Sequence, residues 1–290
     1  AAAAMNIALK TILEPGDKVI AVKPYFMEYN SYAANHGGRI EAADCDDTFN
    51  PDLGSLEKLL DRSTAAIILN SPNNPSGAVY SAETLRRLAD LLGRKSAELG
   101  RRIYIVSDEP YRKIVYDGLR VPSVMEAYPH TLVCSSYSKE LSIPGERIGW
   151  LAVSPRAEDC ENLINGCILC NRISGYVNAP ALMQRVVGRL QGESVDISLY
   201  REKRGKICAI LERAGYEFMK PAGTFYVFPK APGGDDVAFV KALQEERILT
   251  VPGSGFGLPG YFRIAFCVED RVIENSAEGF ARVREKFRKP

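Results

Sequence analysis

The sequence predicts an α/β fold: a mostly parallel sheet flanked by helices, followed by a smaller C-terminal α+β domain. Two observations carry this. Short Val- and Ile-rich runs alternate with longer amphipathic segments, and the pattern changes near residue 190. A hydrophobic content of 46% over 290 residues is enough for a sizeable core. The expected division is a large domain over 1–190 and a small one over 191–290.

The chain opens with "AAAAMNIALKTILEPGD", an apolar helix that ends at Pro15-Gly16. Six strands are expected next, at "KVIAVK" (18–23), "RIEAAD" (39–44), "AAIILN" (65–70), "IYIVS" (103–107), "LVCSS" (132–136) and "IGWLAV" (148–153). Between the third and fourth, Ser81 can cap a helix that carries Leu85, Leu88 and Leu92 on one face and stops at Gly100. "ENLINGCILCNRI" reads as another helix. The small domain is expected as the helix "DISLYREKRGKICAILERAG", "FYVFPK", the helix "DDVAFVKALQEE", the strand "YFRIAFCV" and a final charged helix.

Composition narrows the partners. Lysine and arginine total 37 against 36 acids, so no excess charge points to nucleic acid. No apolar run approaches the roughly 20 residues of a membrane span, and a cytoplasmic protein is expected. The seven cysteines are an odd number and scattered, which suits reduced thiols. Cys167 and Cys170 form a single C-x-x-C without the second pair a zinc site would need.

In an open sheet of this kind, ligands bind beyond the carboxyl ends of the strands. Four stretches there are chemically distinctive: "SPNNPSG" (71–77), "DEPYRK" (108–113), "YSK" (137–139) and "GERIG" (145–149). Taken singly, each has a plain alternative: a turn for the first, a helix cap for Asp108, a surface charge for Arg147, a solvated amine for Lys139. Together they assemble one amine, one acid, one phenol, one amide, and an arginine with hydroxyls suited to a phosphate. Pyridoxal phosphate needs that set: an amine for its aldehyde, and a carboxylate that keeps its ring nitrogen protonated.

With those motifs in that order, from "PGDKVIAVKPYF" to "YFRIAF", the chain resembles the class I/II aminotransferases of the fold type I pyridoxal-phosphate enzymes. The resemblance implies that Lys139 in "SYSK" is the Schiff-base lysine and proton carrier, and that Asp108 pairs with the ring nitrogen. It implies Tyr111 and Asn74 at the ring oxygen, Ser136 and Arg147 at the phosphate, and Phe26 of "KPYF" on the ring face, with an ordinary core aromatic as the alternative for Phe26. Arg263 in "YFRIAF" takes the place of the arginine that grips the substrate carboxylate. Ala1 and Ala2 stand where the family has the end of a phosphate-binding turn at a helix N-terminus. The family's segment before that turn has no counterpart here. The expectation is the ordered part of a longer chain, with a truncated form that binds cofactor poorly as the alternative.

The activity implied is transfer of an amino group between an L-amino acid and a 2-oxo acid, in a homodimer. Elimination on the same scaffold, or a non-enzymatic ligand-sensing domain, are the alternatives. Arg172 reads as a surface or interface arginine ahead of a ligand for a second carboxylate. "VPGSGFGLPG" (251–260) lacks both nucleotide-loop registers and is read as the lead-in that positions Arg263.

Overall fold

The computed structural model describes residues 1–287. Its first part contains α1 (Ala2–Ile12), β1 (Lys18–Val22), α2 (Glu28–Ala34), β2 (Arg39–Ala43), α3 (Leu53–Leu59) and β3 (Thr64–Asn70). It continues through α4 (Ala82–Leu99), β4 (Tyr104–Asp108), α5 (Val124–Ala127), β5 (Thr131–Ser136), α6 (Tyr137–Glu140), β6 (Gly149–Val153) and α7 (Cys160–Ile173). The strands form one sheet in the order β2-β1-β3-β4-β5-β6. All neighbours run parallel except β5 and β6, which pair antiparallel with Ser136 opposite Gly149.

Every residue of β1, β3 and β5 is buried, as parallel strands covered on both faces must be. Alternation decides which side each residue serves. Val19, Ala21, Ala66, Ile68 and Val106 pack with α1, α2 and α7. Ile20, Val22, Ile67, Leu69 and Ile105 pack with α3, α4 and α5. α4 starts where the Ser81 hydroxyl accepts from the Thr84 N–H (3.0 Å) and ends at Gly100 in the left-handed conformation.

The second part contains α8 (Ala181–Arg189), α9 (Ile197–Ala214), β7 (Tyr226–Val227), α10 (Asp236–Glu245), β8 (Val251–Pro252), β9 (Phe262–Ala265), α11 (Asp270–Asn275) and α12 (Ala277–Lys286). A three-stranded sheet, β7-β9-β8, is packed by α9, α10, α11 and α12 around Phe239, Phe262, Phe266 and Phe280. Tyr111, Ile114 and Tyr116, which follow β4, belong to this second core and tie the two sheets together.

Two local expectations are corrected, and one unassigned run is resolved. Only Tyr226 and Val227 of "FYVFPK" form a strand, because Pro229 has no N–H for a ladder and Thr224, just upstream, is left-handed (φ 64°). The final charged helix is broken into α11 and α12 at Ser276, whose hydroxyl donates to the Ile273 carbonyl (2.6 Å). Val251 and Pro252, in the lead-in to Arg263, form β8 beside β9.

Candidate active site

The parallel strands deliver their polar residues to one edge. At the end of β3, Asn70 donates from Nδ2 to the Asp108 carbonyl (2.8 Å) and accepts from the Asn74 N–H (2.7 Å). One amide therefore fixes the spacing between the ends of β3 and β4. Asp108, the last residue of β4, is 8% exposed. Its Oδ2 accepts from the Tyr29 hydroxyl at 2.6 Å, and its Oδ1 is buried without a hydrogen-bond partner. Burial pushes the carboxyl up to about 6, while the Tyr29 hydrogen bond pulls the other way. The Tyr29 phenol is held well above its ordinary range by burial and by Asp108.

Tyr111 lies one turn beyond Asp108, and its hydroxyl meets the Tyr226 hydroxyl at 3.1 Å. The Arg263 guanidinium, on β9, is centred 4.4 Å from the Tyr226 ring and 4.8 Å from the Phe256 ring. It donates from one terminal nitrogen to the Asn74 amide oxygen (2.9 Å) and leaves its buried Nε unpartnered. Lys139, in α6, directs its amine at the Phe225 ring, 5.5 Å from the centroid. Phe225 in turn packs edge-on against Tyr111 (5.4 Å). The structure thus links Asn74, Arg263, Tyr111 and Lys139 through contacts that run by way of Phe225 and Tyr226, with Asp108 joined through Asn70.

Four more of the predicted residues lie around a cavity of about 1030 Å³. Ala1, Ala2, Ser136 and Arg147 line it, with Ser138, while Asp108, Asn74, Tyr111, Lys139 and Arg263 do not. Arg147 is exposed, adopts a left-handed backbone (φ 50°), and donates to the Pro144 carbonyl (2.7 Å). β6 begins with glycine because a Cβ there would come within 2.5 Å of the Ser135 carbonyl oxygen and 3.1 Å of the Ala1 nitrogen. The start of α1 is packed that closely against Gly149, the residue opposite Ser136 in the β5–β6 pair. Phe26 is half-buried, edge-on to Tyr29 (5.7 Å), and so lies beside the phenol that holds Asp108. Arg172 is exposed in the last turn of α7.

Five residues that shape the site do not stand out in the sequence: Asn70, Tyr29, Phe225, Tyr226 and Phe256. Asn70 has a signal, since an amide at the end of a fully apolar strand is costly unless it is paired. The four aromatics have none: Phe225 and Tyr226 stand in an apolar run that reads as core, and nothing around Tyr29 or in the glycine-rich loop of Phe256 marks a ring for the site. "VPGSGFGLPG" does lead to Arg263, and it does so by placing Phe256 on the guanidinium. Gly253 is required there because a Cβ would collide with the Leu258 and Tyr261 carbonyl oxygens.

The chain matches known proteins along nearly its whole length. The profile of aminotransferase class I and II matches residues 1–280. An aspartate aminotransferase of Thermotoga maritima is 31% identical over 287 residues, 96% of this chain and 71% of that protein. A probable aspartate aminotransferase of Methanocaldococcus jannaschii is 32% identical over 282 residues, 95% of this chain and 73% of that protein. The crystal structure of an amino transferase from Eubacterium rectale superposes with a TM-score of 0.97 at 43% identity, covering 99% of this chain and 73% of its own.

Proposed function

Because this chain belongs to the class I and II aminotransferase family and is an aminotransferase, we propose a role for each residue of its site in moving an amino group between an L-amino acid and a 2-oxo acid. Enzymes of the family depend on pyridoxal phosphate. The buried, unpartnered Oδ1 of Asp108 carries the reading that this chain holds that cofactor too. A carboxylate with an orphaned oxygen in the interior is costly unless a cation or donor meets it, and a protonated pyridine nitrogen is such a donor.

In this reading Asp108 accepts from the ring nitrogen, and Tyr111 and Asn74 hold the ring oxygen. Phe26 covers the ring face. Ser136, Arg147 and the backbone of Ala1 and Ala2 bind the phosphate, which their shared cavity supports. Lys139 holds the cofactor covalently through Nζ. When bound, the cofactor supplies an electron sink for the substrate α-carbon and a carrier for the amino group.

The residues do the rest. Arg263 binds the substrate carboxylate with its forked donors, its guanidinium packed against the Tyr226 and Phe256 rings. Asn74, already bonded to Arg263, orients the same guanidinium. Once displaced from its bond to the cofactor by the substrate amine, Lys139 Nζ would be a free amine able to take and move the proton of the substrate α-carbon. The relatives are named aminotransferases, which favours transfer over elimination and over a ligand-sensing role.

A cytoplasmic homodimer completes the reading. Seven free thiols suit a reducing compartment. Ile164, Ile168, Leu169 and Ile173 leave an apolar face on α7 beside the cavity, with Ile173 62% exposed, where a second copy of the chain would pack. Among the described residues no helix is long and apolar enough to cross a membrane.

Lys139→Ala tests the core of the proposal. The loaded variant should lose the visible absorbance of the wild type, and its turnover should fall by at least about 10³-fold. An unchanged absorbance band in the variant would remove Lys139 from its role.

A further inference from the structure

Tyr226 touches both ends of the site. Its hydroxyl lies 3.1 Å from the Tyr111 hydroxyl, and its ring carries the Arg263 guanidinium at 4.4 Å. Phe225 stands just before β7, and its ring and that of Tyr226 both meet Tyr111, at 5.4 and 5.8 Å, and each other at 4.9 Å. The backbone just before them explains how. Thr224, β-branched, sits at φ 64°, a region such residues rarely adopt.

Three bonds hold Thr224 there. Its N–H donates to the Ile114 carbonyl (2.9 Å), its carbonyl accepts from the Tyr116 hydroxyl (2.5 Å), and its Oγ1 accepts from the Tyr226 N–H (3.1 Å). A conformation held this firmly against its own preference is expected at a functional segment.

We propose that Tyr226 is a positioning residue that ties the Tyr111 hydroxyl to the Arg263 guanidinium, giving the cofactor's ring oxygen and the substrate carboxylate one rigid support. The inference rests on the roles assigned above to Tyr111 and Arg263. Each phenol has a single proton. For Tyr111 to point its proton at the ring oxygen, the bond between the two hydroxyls must be donated by Tyr226. That donation polarises Tyr111 and makes it the stronger donor. The ring of Tyr226, meanwhile, keeps the guanidinium planar to the incoming carboxylate.

Two substitutions in the full-length enzyme loaded with pyridoxal phosphate separate these contributions. Tyr226→Phe keeps the ring and removes the hydroxyl. It should raise the pH midpoint of the visible absorbance change by about half a unit or more, with KM for the amino donor altered less than about twofold. Tyr226→Leu removes the ring as well, and should also raise KM for both the amino acid and the 2-oxo acid about tenfold.

A wild-type midpoint in Tyr226→Phe overturns the proposal, and that measurement alone decides should Tyr226→Leu not fold. A folded Tyr226→Leu enzyme with wild-type KM overturns it equally. Tyr111→Phe and Arg263→Lys run in parallel distinguish the underlying roles. If neither moves the midpoint or KM, those roles are wrong. If both do and Tyr226 variants do not, only the tie through Tyr226 fails.

Discussion

The two sheets contribute to the site in opposite ways. The six-stranded sheet supplies polar groups that stand just beyond strand ends, where Asn70, Asn74, Asp108 and Lys139 leave a dry interior at its rim. The three-stranded sheet supplies Arg263 from within a strand and surrounds it with rings, Tyr226 on one element and Phe256 on another. One edge is therefore held by a few hydrogen bonds and carries an unpaired buried oxygen on Asp108. The other is held mainly by ring packing, with one hydrogen bond to Asn74 and an unpartnered buried Nε on Arg263. The difference predicts that substitutions on the large sheet trade stability for function, whereas those on the small sheet lose both together.

Asp108→Asn should break the large-sheet edge most severely. It retains an acceptor for the Tyr29 hydroxyl but removes the charge, and kcat/KM should fall by about 10³-fold, which is about 4 kcal/mol at 1.36 kcal/mol per tenfold. The same substitution should make the cofactor-free protein more stable near neutral pH, because a buried charge short of partners is replaced by a neutral group. Urea unfolding of the cofactor-free proteins beside steady-state kinetics measures both. A variant that lost activity and stability alike would erase the contrast between the two edges.

The same contrast explains what could be read without coordinates. The six strands of the large sheet and the helix from Ser81 to Gly100 are legible: burial on both faces enforces continuous apolar runs in β1, β3 and β5, and caps and left-handed glycine punctuate the chain between elements. Asp108, Tyr111, Asn74 and Arg263 stand out because polar residues at or inside such runs need a reason. Tyr29, Phe225, Tyr226 and Phe256 do not stand out. An aromatic in an apolar run has the same pattern whether it fills a core or presses on a guanidinium, and only three-dimensional contact separates the two. The loop before Arg263 is readable as a lead-in, while its instrument, Phe256, is not.

On the small-sheet edge, Arg263→Lys sharpens the comparison with a middling effect. Lysine keeps the charge but loses the fork and the flat guanidinium that packs against Tyr226 and Phe256. The expected cost is about 10- to 100-fold in kcat/KM, roughly the 1.5–3 kcal/mol of a charged hydrogen bond, expressed mainly in KM for both substrates. The thermal midpoint should fall as well, since the rings lose their partner. An increase in stability would mean that Arg263 is as poorly compensated as Asp108.

The smallest effect concerns the bond that relieves Asp108. In the cofactor-free protein its carboxyl is raised from an ordinary 3.8 to about 6, by burial first, with the Tyr29 hydrogen bond acting against the rise. Between about pH 4 and 6 the folded chain therefore binds more protons than the unfolded chain, so this group's contribution is full below pH 4 and is lost as pH rises through 6. A rise of that size corresponds to a loss of up to about 3 kcal/mol. Tyr29→Phe removes the donor, so the loss should extend to higher pH and deepen by about 1 kcal/mol at pH 8. In Asp108→Asn this component should be absent, which isolates it when unfolding free energies are compared across pH 4 to 8. Parallel curves for wild type and Asp108→Asn would show that the carboxylate finds compensation in solution, and the large-sheet edge would then be as relaxed as the aromatic packing opposite it.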